Sequence, residues 1–229
     1  MKKTRQSTRS GVRGRPEEKR AAGFSLLELL TVITIIIVLL GFAVPAIAPI
    51  LRASSLNSGS SMIMDEFNYV RQLALTKNRD VEVRIYHMGT SEEPSRLEYR
   101  AFRSFLVNGS SPTDIEAQSP VKYLPRSVIL SADPKFSSLL DYTNSVRGCL
   151  THGQEILPRM STPVSYVSFL FRATGGTNLS PINPPLGNWF LTLHLEKAAV
   201  NADTGIPDNY ITIQLDPVTG RVRMHRPGS

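Results

Sequence analysis

Glu28 is the one charged side chain between Phe24 and Val44, in a run that is otherwise apolar or small. A carboxylate costs roughly 2.5 to 3.5 kcal/mol at the centre of a membrane helix and less near its end, so it usually has a partner or a task. A cut between Gly23 and Phe24 would create an amino group one helical turn from Glu28, able to pair with it or with that of a neighbour. Cys149 and His152 have the residue types of a nucleophile and its base, but catalytic pairs are assembled in space and not by short spacing. His87, His194 and His225 are scattered without metal-ligand spacing, so no metal site and no cofactor are expected. Arg221, Arg223, His225 and Arg226 form a small basic cluster near the C-terminus, and such side chains neutralise phosphates.

The elements that must position these groups follow from composition and pattern. With 229 residues and 41% hydrophobic content, the chain can build one sizeable globular domain plus an anchor. Residues 24–44 approach the ~20 apolar residues that an α-helix needs to cross a bilayer. Before them, eight basic residues (Lys2, Lys3, Arg5, Arg9, Arg13, Arg15, Lys19, Arg20) face Glu17 and Glu18, and account for +6 of the formal net charge of +7. That charge is topological information: it holds the N-terminal end in the cytoplasm and sends the rest outward. A conventional secretory signal fits less well, because the apolar run is long and the small-residue exit Ala46-Ile47-Ala48 is followed by Pro49. A single cysteine excludes an internal disulfide, so a packed core must hold the domain. Pro45 either kinks the helix or ends its membrane part.

Gly23-Phe24-Ser25-Leu26-Leu27-Glu28 followed by an apolar helix resembles the class III signal of type IV pilins and type II secretion pseudopilins. The resemblance implies that a prepilin peptidase cuts after Gly23 and that Phe24 becomes the N-methylated first residue. It further implies that Glu28 is the assembly carboxylate, guiding subunits into a helical filament, and that Pro45 marks the part of the helix that bends or melts there. The implied partners are the peptidase, other pilin or pseudopilin subunits and inner-membrane lipid. The implied location is the bacterial inner membrane, single-pass with a periplasmic head, and then a periplasmic or extracellular filament.

Beyond Pro49, Leu56, Ile63, Phe67, Val70 and Ala74 recur at helical spacing on one face, as in a helix that packs on a sheet. The Ser- and Gly-rich residues 54–61 suggest a hinge. Residues 70–79, which include Arg71 and the Lys77-Asn78 pair, resemble the helix end of GspH/FimT-type minor pseudopilins. Val81-Glu82-Val83-Arg84-Ile85-Tyr86 alternates and predicts a strand that buries Val81, Val83 and Ile85 and exposes Glu82 and Arg84. Residues 97–105 form a plausible partner, with Tyr99, Ala101 and Arg103 on one face. Residues 108–163, punctuated by prolines, read as a long irregular insertion. Strands are predicted again over 164–171, 188–195 and 210–215, with a closing strand at 221–224 after the turn Asp216-Pro217-Val218-Thr219-Gly220. This ending resembles the GspH/FimT C-terminal hairpin, and length and leader resemble the prepilin-like D proteins of the Verru_Chthon cassettes.

The chain therefore divides into a leader (1–23), a transmembrane and assembly helix (24–50), an amphipathic helix (51–79) and a β-rich head (80–229). The expected fold is α+β and pilin-like, a long N-terminal α-helix packed on an antiparallel β-sheet head. The leading expectation is a structural one, a minor pilin or pseudopilin built into a type IV pilus-like or type II secretion filament. An alternative is DNA uptake, because Gly220-Arg221-Val222-Arg223 resembles the segment that FimT-like minor pilins use for DNA; Arg221, Arg223 and Arg226 would be the phosphate contacts. A membrane-anchored enzyme is the third class. The head lacks a Gly-x-Ser-x-Gly elbow, a P-loop, a dinucleotide fingerprint or clustered metal ligands, so no enzyme and no small-molecule substrate are expected.

Overall fold

The computed structural model describes residues 24–90, 93–109, 114–142, 149–182, 187–202 and 204–226, and of residues 42–49 the backbone alone. The chain divides into two units, Met1–Ala46 and Ile47–Ser229. Helix α1, Leu26–Lys77, contributes to both, and its helical backbone runs through Pro45 and Pro49. Pro45 thus lies within the helix.

In the first unit the apolar side chains from Leu26 to Leu40 are exposed. The polar groups among them turn back on the backbone: the Thr31 hydroxyl donates to the carbonyls of Leu27 and Glu28, and the Thr34 hydroxyl to Leu30. Such back-bonding lets hydroxyls sit in an apolar helix without unpaired donors. Among the described residues, no helix is long and apolar enough to cross a membrane. The side chains of α1 are described up to residue 41 and again from residue 50, so the first described stretch is short of the ~20 residues that a span requires, and residues 42–49 of the expected 24–50 span lie outside the described side chains.

In the second unit the helix does what its pattern predicts. Leu56, Ile63, Phe67, Val70 and Ala74 are all buried, in one cluster with strand residues such as Val83, Phe169, Leu191 and Ile213. Phe67 meets the rings of Phe169 and Phe171 at centroid distances of 5.6 and 5.9 Å. Truncating a buried aromatic of this kind costs about 3–5 kcal/mol. Residues 54–61, read from the sequence as a hinge, lie within α1. The helix continues through them, and Gly59 and Ser60 are buried. A Cβ on Gly59 would lie 3.2 Å from Val128, so a glycine stands there because the helix approaches the sheet closely. The helix stops at Asn78, whose φ of 52° is the left-handed cap conformation that asparagine tolerates. Arg79 N–H reaches the Ala74 carbonyl at 3.2 Å and Asn78 N–H that of Leu75 at 3.4 Å, the double closure of a Schellman motif.

The strands are β1 (Val81–Met88), β2 (Glu98–Val107), β3 (Ile115–Ala117), β4 (Lys122–Tyr123), β5 (Val128–Leu130), β6 (Thr151–Glu155), β7 (Val164–Phe171), β8 (Trp189–Leu195), β9 (Tyr210–Leu215) and β10 (Val222–His225). They form one sheet in the order β10-β9-β8-β5-β2-β1-β7-β6, with β3 and β4 also on β2, and the described pairings are antiparallel. The stretch 108–163, expected to be irregular, thus supplies four of the paired strands besides a 3-10 turn at Ser138–Leu140. Strand β5 is central: Leu130 pairs with Tyr99 of β2 on one side and with Leu193 of β8 on the other. The 3-10 turn completes the β8 edge. Ser138 Oγ accepts from Phe190 N–H at 2.9 Å, and Ser137 Oγ from Thr192 N–H at 3.1 Å. Without them these donors would have no ladder partner on that side.

Two details of the strands differ from the expectation. Glu82 and Arg84, expected to be exposed, are buried, as is Tyr86 beyond them. The second face of β1 is covered by its own smaller cluster of Tyr86, Met88, Ala101, Leu157 and Val164. Tyr99 and Ala101 also fall on opposite faces. The register jumps from Tyr86↔Ala101 to His87↔Tyr99, leaving Arg100 as an extra residue, and this β-bulge swings Tyr99 into the main core.

Candidate functional site

Gly23 and the leader lie outside the described residues. Phe24 is 75% exposed, and Glu28 stands exposed in the first turn of α1, where a carboxylate meets the positive end of the helix dipole. Leu26, Leu27, Leu29 and Leu30 surround it and are also exposed. The described residues of this first unit present an apolar helical surface with one carboxylate near the start of α1. Such a surface can serve burial against lipid or other helices, and the carboxylate can bind a cation or an amine.

In the second unit, polar anchors fix the helix to the sheet. Arg71 reaches two turns at once, its Nε donating to the carbonyls of Thr219 at 2.7 Å and Gly175 at 3.2 Å. Glu66 is fully buried, and accepts from Lys122 Nζ at 2.6 Å and from Ser119 Oγ at 3.3 Å. Both residues lie on the helix beside the apolar stripe. Glu66 is three residues after Ile63 and four before Val70, so the helical period itself marks its burial, a signal overlooked in the sequence.

Behind β1 is a compact charged group. Arg84 holds Glu82 in a two-pronged pair, Nε and Nη2 each at 3.0 Å, and its Nη1 donates to Glu155 at 2.7 Å. Tyr86 donates to the same Glu155 oxygen at 3.0 Å, and Arg103 approaches the other at 3.6 Å. The Arg84 guanidinium lies 4.5 Å from the Phe105 ring centre and 4.4 Å from that of Tyr166. Burial pushes the Tyr86 phenol above its ordinary range, and the Glu155 charge adds to this. Two arginines against two carboxylates leave no net charge and little unused bonding capacity. The group is suited to holding β1, β2 and β6 together.

Among the described residues, Cys149 and His152 occupy different settings. Cys149 is 8% exposed and belongs to the main core, whereas His152 is exposed and lies against the Tyr142 ring at 4.9 Å. His87 faces the Tyr99 ring at 4.6 Å, His194 Nδ1 bonds the Leu195 carbonyl, and His225 bonds Gln214. Among the described residues, no three His, Cys, Asp or Glu side chains come together as a metal ion would need. Arg221, Arg223 and Arg226 are all exposed, Arg223 on the edge strand β10 and the others flanking it. His225 and Arg226 border a shallow hollow with Phe190 and Tyr210.

No protein-family model matches the sequence, and no curated protein matches it either. Among solved structures, the chain is similar to the minor pseudopilin EpsH from the type 2 secretion system of Vibrio cholerae. In two structures of that protein the TM-scores are 0.39 and 0.40 at 9% identity, covering 76% and 78% of this chain and 99% and 98% of that one. It is also similar to the type IV minor pilin FimU of Pseudomonas aeruginosa, with a TM-score of 0.37 and 10% identity over 77% of this chain and 96% of that one. Values this low leave the family undecided.

Proposed function

We propose that the chain is a pilin-like filament subunit, cut after Gly23 by a prepilin peptidase, N-methylated at Phe24 and held in the inner membrane by residues 24–50 until it is assembled. The observation that carries this reading is the placement of Glu28 in the first turn of a helix whose apolar side chains from Leu26 to Leu40 are exposed on all sides. Such a surface needs cover, and lipid can supply it first and neighbouring helices afterwards. Stacking of identical helices is a heterologous contact that does not close, which builds fibres. In that apolar setting a lone carboxylate or a lone amine is costly, so the Phe24 amine of one subunit and Glu28 of the next set the register by neutralising each other. The head then rides outside the stack, fixed to its helix by the Phe67 cluster, Glu66 and Arg71.

Replacing Glu28 by Ala tests this directly. The variant is expected to be cut as the wild type is, but to be depleted in sheared, sedimented filaments by immunoblot. Equal amounts of E28A and wild type in the filament fraction would contradict the pairing.

A further inference from the structure

We propose that the head carries a docking groove for an acidic peptide segment of a partner protein, at the end of the sheet where β1, β2 and β7 meet. A cavity of about 660 Å³ opens there, within the size range of ordinary ligand sites. Its described lining contains Arg100, Arg126 and Arg159 and no aspartate or glutamate. Arg100 Nη2 pairs with Glu196 at 3.1 Å, and Glu98 acts on His87 of the lining, but neither carboxylate is itself part of the lining. Arg100 is only 6% exposed, and its Nε has no hydrogen-bond partner among the described residues. A buried guanidinium with an unused donor is costly to leave so, and a carboxylate is the group that fits it.

The rest of the lining is apolar. Leu124, Val128 and Met160 lie in the wall, and Leu97 and Tyr123 at its border are 51% and 50% exposed. Apolar surface that continues past the cavity suits a chain segment that crosses the border better than a small molecule held within it. Pro94, Pro125, Pro158 and Pro163 stiffen the walls, so little ordering is needed when an occupant arrives. Arg159 also holds a left-handed backbone, φ 70°, a conformation unfavourable for an arginine. The occupant is therefore an extended segment that alternates carboxylates with apolar side chains. The inference concerns the head alone and holds whether or not Gly23 is cut.

The test is fluorescence anisotropy on the full chain in detergent micelles, with detergent alone as the blank. The probes are a short fluorescein-labelled peptide alternating glutamate with valine, and its counterpart with lysine for glutamate. The acidic peptide is expected to bind saturably and the basic one not at all. The double variant Arg126→Ala, Arg159→Gly is expected to weaken binding about tenfold, as loss of two facing charges would. Glycine relieves the left-handed backbone at 159, so that loss is not a folding defect. Arg221→Ala with Arg223→Ala, outside the groove, is expected to leave binding unchanged. Equal binding of the two peptides, or wild-type binding by the Arg126/Arg159 variant, would overturn the proposal. So would displacement by free butyrate as effective as by unlabelled peptide, which would assign a small carboxylate in place of a chain segment.

Discussion

Arg71 on α1 and Thr219 in the β9–β10 turn are joined by a 2.7 Å hydrogen bond across 148 residues of sequence. The same Nε reaches Gly175, so one side chain ties the helix to both turns at that end of the sheet. The turns themselves touch. A Cβ on Gly220 would lie 2.3 Å from the Gly175 oxygen, and the Gly220 φ of 65° already favours glycine. Arg71→Ala is expected to cost about 1.5–3 kcal/mol, the range for hydrogen bonds that involve a charged group. Gly220→Ala is expected to cost at least ~1–2 kcal/mol for the left-handed backbone alone. Urea unfolding of the two single variants and the double would show losses smaller than additive, because both disturb one junction. Strict additivity would mean that Arg71 and the turns act independently.

The Glu66–Lys122 pair predicts an asymmetry. The Glu66 side chain is 0% exposed and that of Lys122 37%. When Glu66→Leu removes the acid, the lysine can swing to water. When Lys122→Met removes the base, the carboxylate stays buried with Ser119 alone, and breaking a buried pair in this way costs about 3–5 kcal/mol. Lys122→Met should therefore be the more destabilising change in urea unfolding at neutral pH, and equal losses would refute the account of this anchor.

The facing rings of His87 and Tyr99 predict how stability changes with pH. Burial lowers the His87 pKa from the ordinary 6.5, against the opposing pull of Glu98 and the Leu97 carbonyl. Below that value the unfolded chain binds a proton that the folded one resists, so this contribution is present above pH 6.5 and lost as the pH falls. Burial pushes the Tyr99 phenol from 10.0 up to about 12, with Tyr142 adding to it. Here the unfolded chain releases its proton first, so the contribution is present below pH 10 and lost as the pH rises towards 12. Unfolding free energies measured from pH 5 to 11 should fall at both ends. His87→Phe should make the acid limb shallower and Tyr99→Phe the alkaline one, of which the raised Tyr86 phenol supplies another part.

Much of the fold was legible where the information is local. The stripe from Leu56 to Ala74 and the strands β7 and β9 follow from period alone. What could not be read depends on distant partners. Alternation of Val81, Glu82, Val83 and Arg84 looks like a half-exposed strand, because nothing nearby reveals that Glu155, 71 residues after Arg84, closes the charge group. Strand β5 is three residues long between prolines, and only its pairing with β8 makes it central. The bulge at Arg100 reversed the faces of Tyr99 and Ala101 for the same reason. Of the candidate sites, the Phe24–Glu28 spacing is visible in five residues of sequence. The arginine-lined groove is assembled from loops and strands far apart in the chain, and no single stretch carries its signal.

The central claim is the processed N-terminus, and the most direct measurement is intact-mass and peptide mass spectrometry of the membrane-extracted protein from a host that has a prepilin peptidase. The account predicts a chain that begins at Phe24 with one added methyl group, and an uncut, full-length form for Gly23→Leu. A wild-type chain left whole, or one that begins near Pro49, would give Glu28 no new amine to meet and would contradict the filament-subunit reading.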